Sequence, residues 1–285
     1  MLAIDGNMMG RMFQQTTTPA EYTYKSKTFD SEFEMILKDT IRDFLENEKK
    51  RKLVIQRAEG IDYLGIDVLY AGGDDILMIM NARGAIQFSQ MLVNNIAERF
   101  AFEKTLYNGT VFKNNIVTVS CGIAIADCKF PIYFLLEAAR DMETMAKEKF
   151  RKRTPPDEFG IIHLPKGSIA VTAISSAMPG NDSYCYVLDD ASERLDIENL
   201  DKLNHIIGFE LADKDRAMVS DIITCGESNL EKLNLIKFMY SSLSRKKDRG
   251  GINECEWMSD ILLNSEVLGA AKIIIPHLRK EAGEV

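Results

Sequence analysis

The stretch YAGGDDILMIM, residues 70–80, places two glycines and two aspartates between short apolar runs. GIDVLYA (65–71) comes before the acidic pair and ILMIM (76–80) follows it. Two apolar runs joined by so short a glycine-containing link are typical of a β-hairpin. We therefore expect Asp74 and Asp75 to lie at the turn between two paired strands.

A second acidic strand end lies at the start of the chain, where the apolar run LAID ends at Asp5. Consecutive carboxylates repel each other unless a cation lies between them. Mg²⁺ takes hard oxygen ligands from one or two carboxylates together with substrate phosphates. We therefore expect Asp5, Asp74 and Asp75 to hold a divalent cation. The alternative is an ordinary solvated turn, because Gly-Gly-Asp is common turn chemistry.

The glycines beside these acids suit a phosphate-bearing ligand. Gly72 and Gly73 permit turn dihedrals and allow a bulky anion to approach the backbone closely. The loop Gly6–Gly10 could offer backbone N–H groups to phosphates. The sequence thus places a candidate anion site next to the candidate metal site.

The rest of the first half alternates between strand and helix patterns. We expect a loop over 11–28, either directly after the first strand or after a short helix, then a helix over 30–50, and a sheet with helices on one face. The small residues Ser120 and Gly122 share one face of the strand pattern NIVTVSCGIAIA (115–126), which predicts either a low bed for a ligand or a water-facing surface. The other expected elements are strands at LVIQRA (53–58) and FGIIHL (159–164), a helix through Phe88, Leu92, Ile96 and Phe100, and a helix after Pro131 that buries Ile132, Leu135, Leu136, Ala139, Met142 and Ala146.

The pattern changes near residue 166. GSIAVTAI (167–174) is typical of one more strand or of a linker, and mostly helical patterns follow it. We therefore expect a first domain over 1–168 and an α-helical domain over 169–285. The strand LAID starts at residue 2, which suits either a minimal protein or a piece of a longer chain.

Composition excludes several classes of protein. The net charge of −8 argues against a surface coated all over by nucleic acid. Five scattered cysteines without a CxxC motif predict reduced thiols and a cytoplasmic location rather than a zinc site or a disulfide framework. No apolar run approaches the ~20 residues of a membrane span, so we expect no membrane partner.

The sequence resembles the palm domain of the large subunit of type III CRISPR effector complexes, a polymerase/cyclase family with a GGDD motif. The stretches that carry the resemblance are AIDGNMMGRMF, YAGGDDILMIM, TVSCGIAIADCKFPIYFLLEAARDMETMAKEK and, more weakly, FGIIHLPKGS. The resemblance implies an α+β, ferredoxin-like palm followed by an α-helical domain. This palm is shared more distantly with GGDEF diguanylate cyclases and nucleotide cyclases.

The resemblance also implies roles for individual residues. Asp5 matches the metal-binding aspartate of the first strand, and residues 72–75 are the GGDD motif itself. Lys147 matches a lysine that contacts the triphosphate, although a lysine-rich last turn also suits a solvated helix end. Asn7 stands where the family often has an aspartate. The implied catalytic and metal-binding residues are Asp5, Asp74 and Asp75; the implied nucleotide-binding residues are Gly6, Asn7, Gly10, Gly72, Gly73 and Lys147.

The implied activity is nucleotidyl transfer with two Mg²⁺ or Mn²⁺ ions, making cyclic oligonucleotides from ATP in antiviral defence. Family large subunits usually pair two palms, whereas this chain has one GGDD. We therefore expect a homodimer or a second palm-bearing subunit, and also subunits and RNA of an RNA-guided complex. The alternatives are a non-catalytic palm, a templated polymerase and a diguanylate-cyclase-like enzyme. The histidines at 163, 205 and 277 are not followed by Asp, so no HD nuclease is expected.

Overall fold

The computed structural model describes residues 1–14, 16–105, 111–154, 164–174, 183–188, 194–208 and 265–274. The strands are β1 (Leu2–Gly6), β2 (Ile55–Ala58), β3 (Ile61–Leu64), β4 (Ile66–Gly72), β5 (Asp75–Met80), β6 (Ala101–Thr105), β7 (Val111–Asn115), β8 (Val119–Ala126), β9 (Gly167–Ile174) and β10 (Ser183–Leu188). The helices are α1 (Met9–Gln14), α2 (Pro19–Glu46), α3 (Glu48–Lys52), α4 (Ala82–Arg99), α5 (Ile132–Lys152), α6 (Arg194–Gly208) and α7 (Ser265–Ile274).

Six strands form one sheet in the order β10-β9-β8-β1-β5-β4. β8 and β9 are parallel and are connected through α5, while the other neighbouring pairs are antiparallel. β1 lies inside the sheet, where Ile4 pairs with Ile76 of β5 and with Cys121 of β8. The hairpins β2–β3 and β6–β7 form separate two-stranded sheets. The mixed sheet with its helices gives the chain the predicted α+β architecture.

Helices cover both faces of the sheet, which corrects the expectation of helices on one face. The Cys121 Sγ of β8 lies 3.3 Å from the Ser89 Oγ of α4. The next residue, Gly122, lies directly against the backbone of Ala139 and Glu143 in α5. Because successive strand residues point to opposite faces, α4 and α5 lie on opposite sides of β8. The small side chains on one face of β8 are what permit this second helical layer.

The long helix α2 begins earlier than the sequence analysis expected. Thr18 is its N-cap, since the Thr18 hydroxyl accepts a hydrogen bond of 3.1 Å from the Glu21 N–H. Pro19 occupies the first helical position, where its missing N–H costs nothing. The expected loop over 11–28 was therefore wrong for most of its length, because its Thr-Pro pair is a helix start signal.

The apolar face of each main helix is largely as the spacing predicted. Phe44 of α2 packs edge-to-face on Phe88 of α4 with ring centroids 5.5 Å apart. Both rings are fully buried. Ala139, Met142 and Ala146 of α5 are buried, but Ile132 is 56% exposed, so the predicted buried face of α5 does not include its first turn.

The sheet continues beyond the predicted domain boundary. Residue 168 falls inside β9, which pairs with β8 on one side and with β10 on the other. The strand interpretation of residues 167–174 is therefore confirmed and the linker interpretation is wrong. The chain divides into two compact units between Ile197 and Glu198. The described part of the second unit is helical, and the helical domain itself stays a prediction. The strand expected over 159–164 lies outside the described residues, apart from Leu164.

Candidate metal and nucleotide site

The GGDD motif forms the tight turn of the hairpin between β4 and β5. Gly72 pairs with Asp75, which leaves Gly73 and Asp74 as the turn residues. Gly73 has a φ of +63°, a left-handed conformation that glycine adopts without strain. The Gly73 N–H donates a 2.8 Å hydrogen bond to the Asp30 carboxylate of α2. The predicted hairpin is confirmed, and a carboxylate of the same chain already satisfies one of its backbone donors.

The carboxylate of Asp74 lies against the end of β1. A Cβ on Gly6 would come within 2.9 Å of Asp74 Cβ and still closer to its Oδ2 atom. A larger residue at position 6 would therefore force the side chains of Asp74 and Met9 to shift. Burial raises the pKa of Asp74, and the nearby Asp5 carboxylate raises it further. Sheet topology thus brings together two carboxylates that are sixty-nine residues apart in the sequence.

Lys147, in the last turns of α5, supplies the positive charge at this site. Its ammonium donates to the Asp5 carboxylate and lies 2.9 Å from the Glu143 carboxylate one turn earlier. Burial alone would lower the pKa of Lys147, but its hydrogen bonds to Asp5 and Glu143 raise it above the usual value. The lysine that the resemblance assigned to the triphosphate is therefore in contact with the first-strand aspartate.

Asp75 differs from Asp5 and Asp74 in its exposure to solvent. It is exposed and begins β5 opposite Gly72. In the part of the chain that the structure describes, no three His, Cys, Asp or Glu residues are grouped so that they could hold a metal ion. Asp5 and Asp74 nevertheless fit a divalent cation, because they are adjacent hard oxygen donors whose mutual repulsion a cation would relieve.

Asn7 contributes to the interior of the fold rather than to an open surface. It is 7% exposed, and its Nδ2 donates to the Thr118 hydroxyl over 3.3 Å. The Ser120 hydroxyl donates to Asn7 Oδ1 over 2.7 Å and also lies 2.8 Å from the Ser168 hydroxyl. Ser168 in turn donates to the Ala146 carbonyl, one residue before Lys147. These buried side chains connect the end of β1 with β8, β9 and α5.

The remaining glycines have different surroundings. Gly10 lies in the short helix α1, is exposed, and has open space where a Cβ would project. Gly72 is close to the Tyr70 side chain, which a Cβ would overlap. The expected ligand bed at Ser120 and Gly122 is wrong, because α5 and the buried hydroxyl network occupy that face.

Two residues at the site were missed by the sequence analysis. Glu143 stands four residues before Lys147, and this i,i+4 spacing on a predicted helix was a usable signal for an ion pair. Asp30 contacts the turn from a segment forty-three residues earlier in the chain. No local pattern indicates such a contact.

Residues 1–154 match the family model described as Cas10/Cmr2, second palm domain. The match covers more than half of the 285 residues. The chain belongs to the Cas10/Cmr2 family. The recognition of a type III CRISPR palm is thereby confirmed, and so is its α+β palm fold. No curated protein matches the chain.

Membership of this family associates the chain with type III CRISPR effector complexes, and its palm has a nucleotidyltransferase-like fold. Palm domains of the polymerase type generally use divalent metal ions, which suits the paired carboxylates of Asp5 and Asp74. None of the helices that the structure describes has both the length and the apolar character that a bilayer span requires.

Proposed function

We propose that this chain is a metal-dependent nucleotidyltransferase that makes cyclic oligonucleotides in CRISPR antiviral defence. ATP is the proposed substrate and Mg²⁺ or Mn²⁺ the proposed cofactor. The choice of ATP follows from family resemblance. The proposed location is the cytoplasm.

One observation carries this proposal: the close approach of Asp74 to the end of β1, beside Asp5 and Lys147. Because Gly6 has no side chain, the Asp74 carboxylate has room at the end of β1. Burial and the neighbouring Asp5 oppose ionisation of Asp74 and raise its pKa. An arrangement that costs stability in this way is typical of functional sites. A solvated turn would keep its carboxylates apart and in water.

In the proposed reaction, a ribose hydroxyl attacks the α-phosphate of a second nucleotide and pyrophosphate leaves. Asp5, Asp74 and Asp75 would hold two Mg²⁺ or Mn²⁺ ions, which would neutralise charge and lower the pKa of the attacking hydroxyl. Lys147 would neutralise phosphate charge from the α5 side. The chain's part is chiefly to position and to neutralise, as in other phosphoryl-transfer sites.

A non-catalytic palm within an RNA-guided complex is the second candidate. The observation that favours it is the contact between Lys147 and Asp5, which neutralises one carboxylate without a metal. In this role the palm would contact partner subunits and RNA.

Incubation of the protein with Mn²⁺ and each nucleoside triphosphate, followed by mass analysis of the products, separates the two candidates. The proposal predicts cyclic oligonucleotides from ATP, and their loss in Asp74→Ala. Wild-type protein that binds Mn²⁺ and ATP but makes no product would support the non-catalytic palm. Linear products that depend on an added template would support a polymerase instead.

Joining two nucleotides requires a donor and an acceptor site that face each other. This chain has one GGDD turn. We propose that the second palm comes from another copy of the chain or from a partner subunit. A two-fold homodimer is the commonest solution for identical chains.

A further inference from the structure

Helix α5 packs closely against the sheet at Glu143, one helical turn before Lys147. A Cβ on Gly122 would lie 2.9 Å from Glu143 Cα and closer still to Glu143 N and to the Ala139 carbonyl. The Glu143 backbone therefore rests directly on β8. One turn later, Ser168 donates to the Ala146 carbonyl over 2.9 Å. These two contacts fix the segment of α5 that carries Glu143 and Lys147.

The carboxylate of Glu143 is shielded, unlike those of ordinary helix-surface pairs. The side chains of Glu143 and Lys147 are 15% and 17% exposed, and their charged atoms are 2.9 Å apart. The i,i+4 pair Lys38–Glu34 of α2 has side chains that are 64% and 63% exposed. Water and salt screen such exposed pairs, which therefore contribute little. Because water is largely excluded from it, the Glu143–Lys147 pair has a stronger electrostatic attraction than the Lys38–Glu34 pair.

Lys147 has two carboxylate partners, but only one of them belongs to the candidate metal site. A cation bound to Asp5 would compete with Lys147 for the Asp5 carboxylate. Glu143 lies on the helix that carries Lys147 and is not displaced in that exchange. The ammonium would therefore keep one anchor and direct its remaining donors toward a phosphate.

We propose that Glu143 is a positioning residue that holds the Lys147 ammonium beside the end of β1 for the phosphates of a bound nucleotide. This inference rests on the proposed function, since it gives Lys147 a nucleotide to contact. It adds a residue, Glu143, that acts on the nucleotide only through Lys147.

The test measures binding of a non-hydrolysable ATP analogue with Mg²⁺ by titration calorimetry. Glu143→Gln keeps the shape of the side chain and removes its charge. It should weaken analogue binding about threefold to tenfold, between the effect of an exposed ion pair and that of a shielded charge-assisted hydrogen bond. Glu148→Gln is the matched control, since Glu148 is exposed on the same helix. This control should change the affinity less than about twofold.

A double-mutant cycle shows whether Glu143 acts through Lys147. In a Lys147→Met background, Glu143→Gln should leave analogue binding unchanged. Titration of Mn²⁺ alone into the Lys147→Met variant and into the Glu143→Gln/Lys147→Met double variant separates positioning from direct metal ligation. A positioning residue predicts equal Mn²⁺ affinity with and without Glu143 when Lys147 is absent.

The outcomes distinguish this inference from the proposed function. Equal analogue affinities of Glu143→Gln and Glu148→Gln would overturn the inference, and so would a Glu143 effect that persists without Lys147. If the binding pattern holds but wild-type protein makes no product, the proposed function alone fails. If wild-type protein does not bind the analogue at all, both are overturned.

Discussion

Replacement of Gly122 by alanine should be among the most damaging changes of a single methyl group in this chain. The added Cβ would meet backbone atoms of α5 on one side and is fixed to β8 on the other. Its distance to Glu143 Cα would be 2.9 Å, with Glu143 N and the Ala139 carbonyl closer still. Since neither partner is a flexible side chain, the helix has to move by roughly 1.5 Å to restore ordinary contact distances.

The cost follows from the packing of both layers. Extra methyl groups in a closed core cost about 1–3 kcal/mol, and a clash between two backbones lies at the upper end of that range. One kcal/mol lowers the melting temperature of a domain of 150–250 residues by about 2–4 °C. The first compact unit extends to Ile197, so it falls in that size class. We therefore expect Gly122→Ala to lower the melting temperature by about 6–12 °C.

Differential scanning calorimetry in EDTA measures this shift without interference from metal binding. Gly10→Ala is the control, because Gly10 lies in α1 with open space around the position of a Cβ. Alanine there should leave the melting temperature unchanged or raise it, since alanine favours a helix over glycine by up to about 1 kcal/mol. A Gly122→Ala variant that melts within about 2 °C of wild type, less than one kcal/mol of destabilisation, would refute the close-packing argument.

Three further predictions concern the site and the assembly. Asp74→Asn should raise the melting temperature in EDTA at pH 7, because the pKa of Asp74 is raised above 3.8 in the folded state and its ionisation therefore costs stability. The gain should disappear below pH 3.8, where the carboxyl is protonated in both states; a lower melting temperature at pH 7 would contradict it. ATP with Mg²⁺ should raise the melting temperature more than GTP does, and equal shifts with all four nucleotides would refute adenine selectivity. Light scattering at increasing concentration should show a homodimer, whereas a strict monomer that still makes cyclic product would exclude a cleft shared by two copies.

Much of the sheet could be predicted from the sequence because its strands are strongly apolar and its main turn has diagnostic residues. The GGDD hairpin, the strand after residue 117 and the helices carrying Phe33, Phe88 and Met142 all follow from local periodicity. The start of α2 could also have been predicted, since Thr18 and Pro19 are a cap and a first-turn proline. The place of β9 and β10 at one side of the sheet could not, because local periodicity predicts a strand but not its partner.

The acidic residues of the candidate site could be predicted, because the resemblance supplied their positions. The surroundings of the small residues on β8 could not, because they depend on how the helices pack. Asp5 and Asp74 were identified, and the structure brings them together. The small face of β8 was read as space for a ligand, but small residues equally allow a helix to approach, and sequence alone does not distinguish the two. Asn7 was placed in the candidate nucleotide site, whereas its amide forms hydrogen bonds with Thr118 and Ser120 inside the fold.

The position of β1 has a consequence for the order of folding. This strand is the first in the chain, yet its neighbours in the sheet are residues 76–78 and 119–123. Long loops must close before such pairs form, and their closure costs entropy that the local β4–β5 hairpin does not bear. Pulse-labelling hydrogen exchange during refolding should show the amides of β1 protected no earlier than those of β5; earlier protection of β1 would argue against this order. During synthesis on a ribosome, the apolar residues of β1 would therefore stay unpaired until β5 has emerged, and one edge of β1 would stay open until β8 follows.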